Sequence, residues 1–519
     1  MSDYEDLHIE STLPKVWEQE ETFNDVLYDW MGRAPWLGIS IGLHFVAFII
    51  LNSIPWEIFS DDEEKIIQAS LEQPPPVEEE EPEEPEEEIE EEVEEEPVIQ
   101  DQEISDHNET ESQEDFEEAL GDPDQNADSP FDSDNFNNQI GIGGGAGGKF
   151  GGRGGGRKNL SARGGRPLAQ AIKDGLDWLK DHQSEDGYWD TDEFFSNNVK
   201  GGTDCTEGAG IASQDVGMTG LALLAFLGDG SSTRQGEYRK VVKRGVKWLG
   251  DQQDEDSGLL GEEVGHGFVY DHAIASLALA ENYYDSKNPF QKLQTQRAMN
   301  FIGKARNPYG GWRYEVPSDG DTDTSITGWM IFALRAGADA GLKVDKEGYI
   351  GATEWLKSVT DTSNGRVGYI GPEPGGRSSR VIGANDEFPP EKTEAMTGVG
   401  LLTRIFLGQT PEDEPMMEKH GDLMLRMLPE WNESDHSIDM YYWYYGTYAM
   451  YQLGGEHWRK WKKSMETAIL PNQRKDGDYK GSWDPVGPWG YQGGRVYSTA
   501  LMVLTLEVFY RYSPLLGAR

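Results

Sequence analysis

Two acids near the middle of the chain have the spacing of an acid cluster. In GDTDTSITGW (Gly320 to Trp329), Asp321 and Asp323 stand two apart, just ahead of a helix-like run. Neighbouring carboxylates raise one another's proton affinity, which can make one of them a general acid. Asp is also a good helix N-cap, where its carboxylate accepts the first free backbone N–H groups. Both readings stand for this pair, and no residue is assigned as catalytic beyond these two candidates. Other chemistry-bearing residues open similar runs: Tyr270, Asp271 and His272 in one, Tyr441 to Tyr445 (with Tyr442 and Trp443) in another, Tyr497 in a third. Together with Trp329 they are candidate ligand-binding residues, since aromatics around a cavity suit a prenyl chain or a sugar. Helical core packing explains the same aromatics, and a lone His such as His272 fits a hydrogen-bonded structural role equally well. Glu262 with Glu263, or Asp435 with Asp439, can be tried as a glycosidase pair, but no spacing selects them. No metal is expected: Asp204 and Cys205 are adjacent rather than spaced as ligands, and His266 and His272 show no ligand pattern. No cofactor is expected. The single cysteine excludes an intramolecular disulfide.

The elements that must position these residues recur. GLDWLKDHQSEDGYW (Gly175 to Trp189) is followed by TGLALLAFLG (Thr219 to Gly228). Later copies read RGVKWLGDQQDEDSGLL (Arg244 to Leu260), RAMNFIGKARNPYGGW (Arg297 to Trp312), GATEWLKSV (Gly351 to Val359), a degenerate fifth from Met416 to Leu453, and ILPNQRKDG with GSW (Ile469 to Trp483). Each is followed by a run rich in small and apolar residues, at a period of about fifty to sixty residues, enough for two helices and two loops. One such hairpin cannot bury its own apolar face and must stack on neighbours.

Gly175, Trp178, Leu179, Gln183, Gly187 and Trp189 resemble the QW motif of squalene and terpenoid cyclases and of the wider prenyltransferase repeat family. The second copy keeps Gln253 and Gly258 but has Leu260 for the Trp; the third keeps Gly310 and Trp312 but has Arg306 for the Gln. The resemblance covers about two thirds of the chain. It implies an all-α fold, a closed (α/α)6 toroid of six hairpins over residues 167–519, with the second helix of each pair inside. It speaks less to chemistry: cyclases of this kind use Asp-x-Asp-Asp, and here Thr324 stands where the last acid is expected. Thioester proteins share the toroid, but they place Gln three residues after the Cys, where this chain has Gly208.

Ahead of the repeats come an arm (1–34), an apolar span (35–56), an acidic linker (57–140) and a Gly/Arg-rich hinge (141–166). Leu37 to Ile54 carries no formal charge and is flanked by Trp36 and Trp56, as a single transmembrane helix would be. Arg33 before it and Asp61, Asp62, Glu63 and Glu64 after it favour a cytoplasmic N-terminus, hence an inner-membrane protein with its toroid in the periplasm. Ser40 and His44 lie four apart on one face of the span, and polar groups in a bilayer ask for partners. Followed by a Pro- and acid-rich rod, the pair resembles the anchor of TonB-type transducers, which implies an ExbB–ExbD-like proton-driven motor as partner. From Asp61 to Ile140 there are 34 acidic residues and one basic, within a chain of net charge −50. Such a tract self-repels and is expected to be disordered. Gly141 to Arg166 has RGG-like triplets but a single aromatic, Phe150, so it is read as a hinge with no nucleic-acid partner. The expected function is a membrane-anchored extracytoplasmic toroid binding an envelope ligand or protein. The alternatives are a terpenoid cyclase or prenyltransferase acting on an isoprenoid, and a glycan-active α/α barrel enzyme.

Overall fold

In the first helix of each repeat the apolar residues fall on one face; in the second they run nearly all round. Arg239–Asp251 buries Val241, Val242, Val246 and Leu249 and leaves Arg239, Lys240, Lys243 and Lys247 in water. Asp215–Gly228 is buried from Gly217 to its end. A one-sided helix belongs at a surface and an all-round apolar one in a core. The computed structural model describes residues 156–162, 165–198, 205–372 and 387–511. After a short α1 (Gly156–Ala162) come six hairpins: α2 (Arg166–Asp181) with α3 (Asp215–Gly228), α4 (Arg239–Asp251) with α5 (Phe268–Ser286), α6 (Pro289–Ala305) with α7 (Thr324–Asp339), α8 (Glu347–Ser358) with α9 (Ala395–Phe406), α10 (Met416–Met424) with α11 (Met440–Leu453), and α12 (Gly455–Ile469) with α13 (Gly490–Leu506). A final turn, α14, spans Val508–Arg511. Among the described residues there is no β-strand, only the isolated bridges Gln253–Leu260 and Thr360–Val367.

The second helices pack on one another in succession, α3 on α5, α5 on α7, α7 on α9, α9 on α11, α11 on α13, and α13 again on α3. The first helices flank them: α4 lies on α3, α6 on α5 and α7, α8 on α7, α10 on α9 and α11, α12 on α11, and α2 on α13 and α3. At the C-terminal ends of the central helices the fully buried Arg511 guanidinium pairs with Glu281 at 2.9 Å and Glu507 at 3.3 Å, and donates to the Leu224 carbonyl. Buried charges are tolerated only when paired in this way.

The repeated Gln, Gly and Trp have a defined physical task. Gln183 donates to the carbonyl of Gly187 in its own turn (2.7 Å) and to that of Val241 on the next flanking helix (3.0 Å). Gln253 does the same with Gly258 (3.2 Å) and Gln294 (3.0 Å). Gln473 does so with Gly481 (2.9 Å) and Ala171 (2.8 Å), so the sixth hairpin is stapled to the first. The indoles of Trp189, Trp312 and Trp483 each donate to a carbonyl at the end of their own flanking helix, Leu179, Ile302 and Ile469, at 2.7–2.9 Å. The turn glycine is fixed by its surroundings: Gly187 has φ +107°, and a Cβ there would lie 2.6 Å from the Arg244 carbonyl group. Where Gln is missing the bridge changes chemistry. Arg306 pairs with Asp345 at 2.6 Å, and at the fourth turn His420 on α10 meets the Gly365 carbonyl at 2.5 Å.

The stretch expected as a hinge differs at its end. Residues 156–162 are helical because Leu160 is buried and Gly156 lies against the Tyr510 ring, where a Cβ would approach to 2.5 Å. The apolar span with Ser40 and His44, and the acidic linker, lie outside the described residues. Among the described residues no helix is long and apolar enough to cross a membrane.

Replacing Gln183 or Gln473 with Ala strands two carbonyls each time. Each change should cost about 1–3 kcal/mol in chemical denaturation, with similar losses at the two sites. A loss for Gln183→Ala with none for Gln473→Ala would contradict a staple between the sixth hairpin and the first.

Candidate functional site

The N-terminal ends of the central helices converge, and most of them begin at an acid. Asp215 starts α3, Asp271 lies in the first turn of α5, and Asp323, Glu394 and Asp439 are the residues just before α7, α9 and α11. The positive end of a helix favours this placement. Glu394 is tied up by a bidentate ion pair with Arg366 and by the Thr397 hydroxyl. Asp439 accepts from Tyr442 N (3.0 Å) and the Thr393 hydroxyl (2.9 Å).

Asp323 is different. It caps α7, accepting from Ile326 N at 2.9 Å, and its other oxygen accepts from the Tyr369 hydroxyl at 3.0 Å. Tyr369 in turn bonds the Tyr314 hydroxyl. Tyr314 is stacked on His266 (centroids 4.5 Å apart, planes at 7°) and lies 6.3 Å from the ring of Tyr270. On the far side Ser325 shares a 2.9 Å hydrogen bond with Tyr441, whose ring lies 4.8 Å from Tyr445. Burial raises the Asp323 carboxyl to about 7, against the pull of the Ile326 N–H, the Tyr369 hydroxyl and Arg313. Burial likewise raises Tyr270, Tyr369 and Tyr441, with the Asp323 charge adding to it in each. The group is a buried acid inside a shell of tyrosines.

Asp321 does not join it. It is exposed and pairs with Arg313 at 2.6 Å. Thr324 is engaged as well: its hydroxyl donates to the Gly368 carbonyl at 2.7 Å, across to the turn before α9. Tyr270 lies in the shell, and Tyr497 is half-buried on α13 with a hydroxyl that has no hydrogen-bond partner among the described residues. Trp329 is buried one turn further in, parallel to Tyr444 (6.1 Å, 15°) and edge-on to Tyr445 (5.5 Å, 80°). Asp271 is buried against the Gly217 backbone at the start of α3, and burial pushes its carboxyl well up.

His272, Tyr442 and Trp443 lie elsewhere. The His272 Nδ1 accepts from Leu260 N at 3.0 Å and its ring packs against Phe301 on α6; burial lowers it to about 3, so it is neutral. Its slot is occupied by Thr in other hairpins: Thr219, Thr327 and Thr499 accept from Trp189 N, Trp312 N and Trp483 N at 3.0–3.3 Å. His272 holds its turn to its helix. Tyr442 points toward α10, donating to Met427 O at 3.0 Å, with Trp461 of α12 beside it. Trp443 is 6.0 Å from Trp431. Tyr314, Tyr369, Ser325 and Arg313 were not singled out from sequence. Tyr314 and Tyr369 share one signal: each stands two residues after the position where the repeat has Trp312 or Val367.

No family model matches the chain, and no curated protein matches it. Solved structures similar to it include an inactive variant of the α-1,6-mannanase GH76A of Salegentibacter with α-1,6-mannotriose (10% identity, TM-score 0.44, 66% of this chain and 98% of that one). The apo type II terpene cyclase MstE of Scytonema (12%, 0.43, 66% and 97%) and an α-amylase from Clostridium perfringens (12%, 0.43, 66% and 98%) are others. These likenesses assign no activity to this chain.

The raised carboxyl sets a pH signature. An unfolded Asp titrates near about 3.9, so the folded state holds the Asp323 proton more tightly. That contribution is fully present below about pH 4 and is lost as pH rises through about 7. Across that window wild type should lose stability relative to Asp323→Asn by on the order of 1–4 kcal/mol. Paired melts of the two proteins check this; a difference constant with pH would contradict the assignment.

Proposed function

We propose that the described helices form a closed six-hairpin α/α toroid whose mouth binds a glycan of the cell envelope. The mouth is the end where the central helices begin. In the same reading the span from Leu37 to Ile54 holds the toroid at a membrane, outside the cytoplasm, with the Ser40–His44 face meeting a proton-driven partner. The observation that carries the glycan reading is the tyrosine shell: Tyr270, Tyr314, Tyr441 and Tyr497 are all half-buried and all bring a hydroxyl with the ring. A sugar offers C–H faces to stack on rings and hydroxyls to exchange with theirs, so amphipathic aromatics suit it. An isoprenoid would favour an apolar lining, without buried hydroxyls to strand. The return of α13 onto α3 and the Gln473–Ala171 bridge support closure.

One observation favours a second reading, an acid-catalysed enzyme. A carboxyl raised to about 7 is partly protonated at neutral pH, as a general acid must be. Against this, both Asp323 oxygens are engaged, and Thr324 stands where a cyclase-like cluster needs a third acid. Binding without turnover is therefore the primary reading.

Titration calorimetry of the purified protein with soluble envelope oligosaccharides should show binding. Tyr441→Ala should weaken it about ten-fold or more, while Tyr441→Phe, which keeps the ring and loses one hydrogen bond, should cost less. Binding of isoprenoid diphosphates in preference to every glycan fraction would overturn the glycan reading. Turnover abolished by Asp323→Asn would replace binding with catalysis.

A further inference from the structure

One hairpin leaves open a space that the others fill. In the first, third and sixth hairpins a fully buried indole, Trp189, Trp312 or Trp483, seals the join between flanking and central helix, and a Thr of the central helix receives its backbone N–H. Leu260 and Val367, also buried, take that place in the second and fourth. The fifth hairpin is built otherwise. Thr219 and Thr327 stand four residues after Asp215 and Asp323, whereas four residues after Asp439 stands Trp443. The slot that receives a turn elsewhere is thus filled from the central helix itself. The carbonyls of Met424 and Met427 are met by the Tyr442 hydroxyl, at 3.3 and 3.0 Å, instead of by an indole of the turn. A cavity of about 770 Å³ remains between the turn after α10, the start of α11 and the end of α12.

Its lining is amphipathic. Trp443 forms one wall and Trp431, on the turn, another, their rings 6.0 Å apart at 53°. The Trp431 indole N–H is held by Glu433 at 3.2 Å, and the residue is only half-buried, so part of it is open to a ligand. Charges of both signs stand around the rings. Lys392 and Asp435 lie 3.7 Å apart, and Arg426 is exposed and forms no ion pair among the described residues. The Asn472 amide donates to the Ala468 carbonyl at 2.8 Å, which leaves its own oxygen to accept. Such a lining selects by chemistry. A phosphate or carboxylate would meet Asp435 along with the cations, and an acyl chain would strand the charges. A sugar hydroxyl donates and accepts at one atom, so one ring can serve cation, carboxylate and amide while its C–H face rests on an indole. The volume lies within the range of ligand pockets, about 300–1,000 Å³.

We propose that this cavity is a second glycan subsite, on the rim of the mouth, and that the protein binds a chain of several sugars. Position carries the connection. The turn from each flanking helix to its central helix lies at the mouth end, so the cavity and the tyrosine shell share that end. Tyr441 and Tyr442 are consecutive: the first belongs to the shell, where it meets Ser325, and the second walls the cavity. Only the start of α11, about 10 Å across with its side chains, separates them. A chain held by the shell can therefore cross that end of α11 and place a further ring on Trp431. This inference rests on the glycan reading of the mouth and adds to it the length of the ligand.

The test uses the full-length protein, purified in detergent. It is screened on an array of neutral and amino-sugar oligosaccharides, and the strongest binder is titrated as a series of increasing length. Affinity should rise about ten-fold or more once the chain reaches from the shell to the cavity. Trp431→Ala and Arg426→Ala should each remove most of that rise, read as the ratio of long-chain to short-chain affinity. Arg426 is exposed, so its variant keeps the test open if the loss of the indole disturbs folding. Tyr441→Ala should lower affinity at every length. A flat dependence on length, or a rise that survives both rim variants, would overturn the subsite and leave the mouth in place. Wild type that binds no member of the array would overturn the glycan reading and this inference together.

Discussion

A side-chain amide with two carbonyls to satisfy organises the rest of the molecule. The Gln183, Gln253 and Gln473 side chains each span from their own turn to the backbone of the neighbouring flanking helix. A carbonyl that loses its donor inside a protein costs about 1–3 kcal/mol, and each of these amides serves two. The glycine of the turn can then come within van der Waals contact of that helix, because it carries no Cβ and takes a positive φ. With the turn fixed, the indole that follows drops into the gap between helices, and its backbone N–H is received by a Thr of the central helix. The chain leaves the turn in one direction only. In the third and fourth turns Arg306 and His420 make the bridge in place of a Gln, and the chain leaving those turns carries Tyr314 and Tyr369 to the Asp323 carboxyl.

The centre itself follows from helix electrostatics. Acids at the starts of central helices satisfy free N–H groups and sit at the positive pole of each helix. Packing these ends together brings like charges into a low-dielectric region, and each acid meets the problem differently. Glu394 takes an arginine, Asp439 takes a hydroxyl and a backbone N–H, and Asp323 keeps its proton to about 7 within tyrosine hydroxyls. Asp215 lies beside Asp190 and Asp192 and receives the Thr191 N–H.

The helical hairpins were legible in the sequence because their signals are local: a one-sided apolar face, a turn with Gly, Gln and Trp, then a small-residue run. Asp323 as a cap was legible for the same reason, since three residues of chain decide it. Asp321 was grouped with it by spacing, but two residues before a cap the chain is already in the loop, and the side chain turns to Arg313. His272 misled because its slot holds Thr in other hairpins, so its resemblance to Thr219 and Thr327 is one of position rather than type. In the aromatic run of α11 the helical period alone divides the residues. Tyr441, Tyr444 and Tyr445 share the central face, whereas Tyr442 and Trp443 turn toward the flanking side. Tyr369 was legible only through its repeat position two residues after Val367, because its hydroxyl meets Asp323 through the packing of two hairpins.

The proposed closure, with the sixth hairpin holding the first, makes the six hairpins depend on one another. Ending the chain at Gly454 removes α12, α13 and Gln473 and leaves the faces of α2, α3 and α11 without a partner. Thermal melting of this truncated protein, read by circular dichroism alongside its solubility, tests the claim directly. A closed succession has no dispensable terminal unit, so the account predicts aggregation or a broad, low-temperature melt. A soluble protein that melts sharply, near the temperature of the intact chain, would contradict it and identify an open stack of independent repeats.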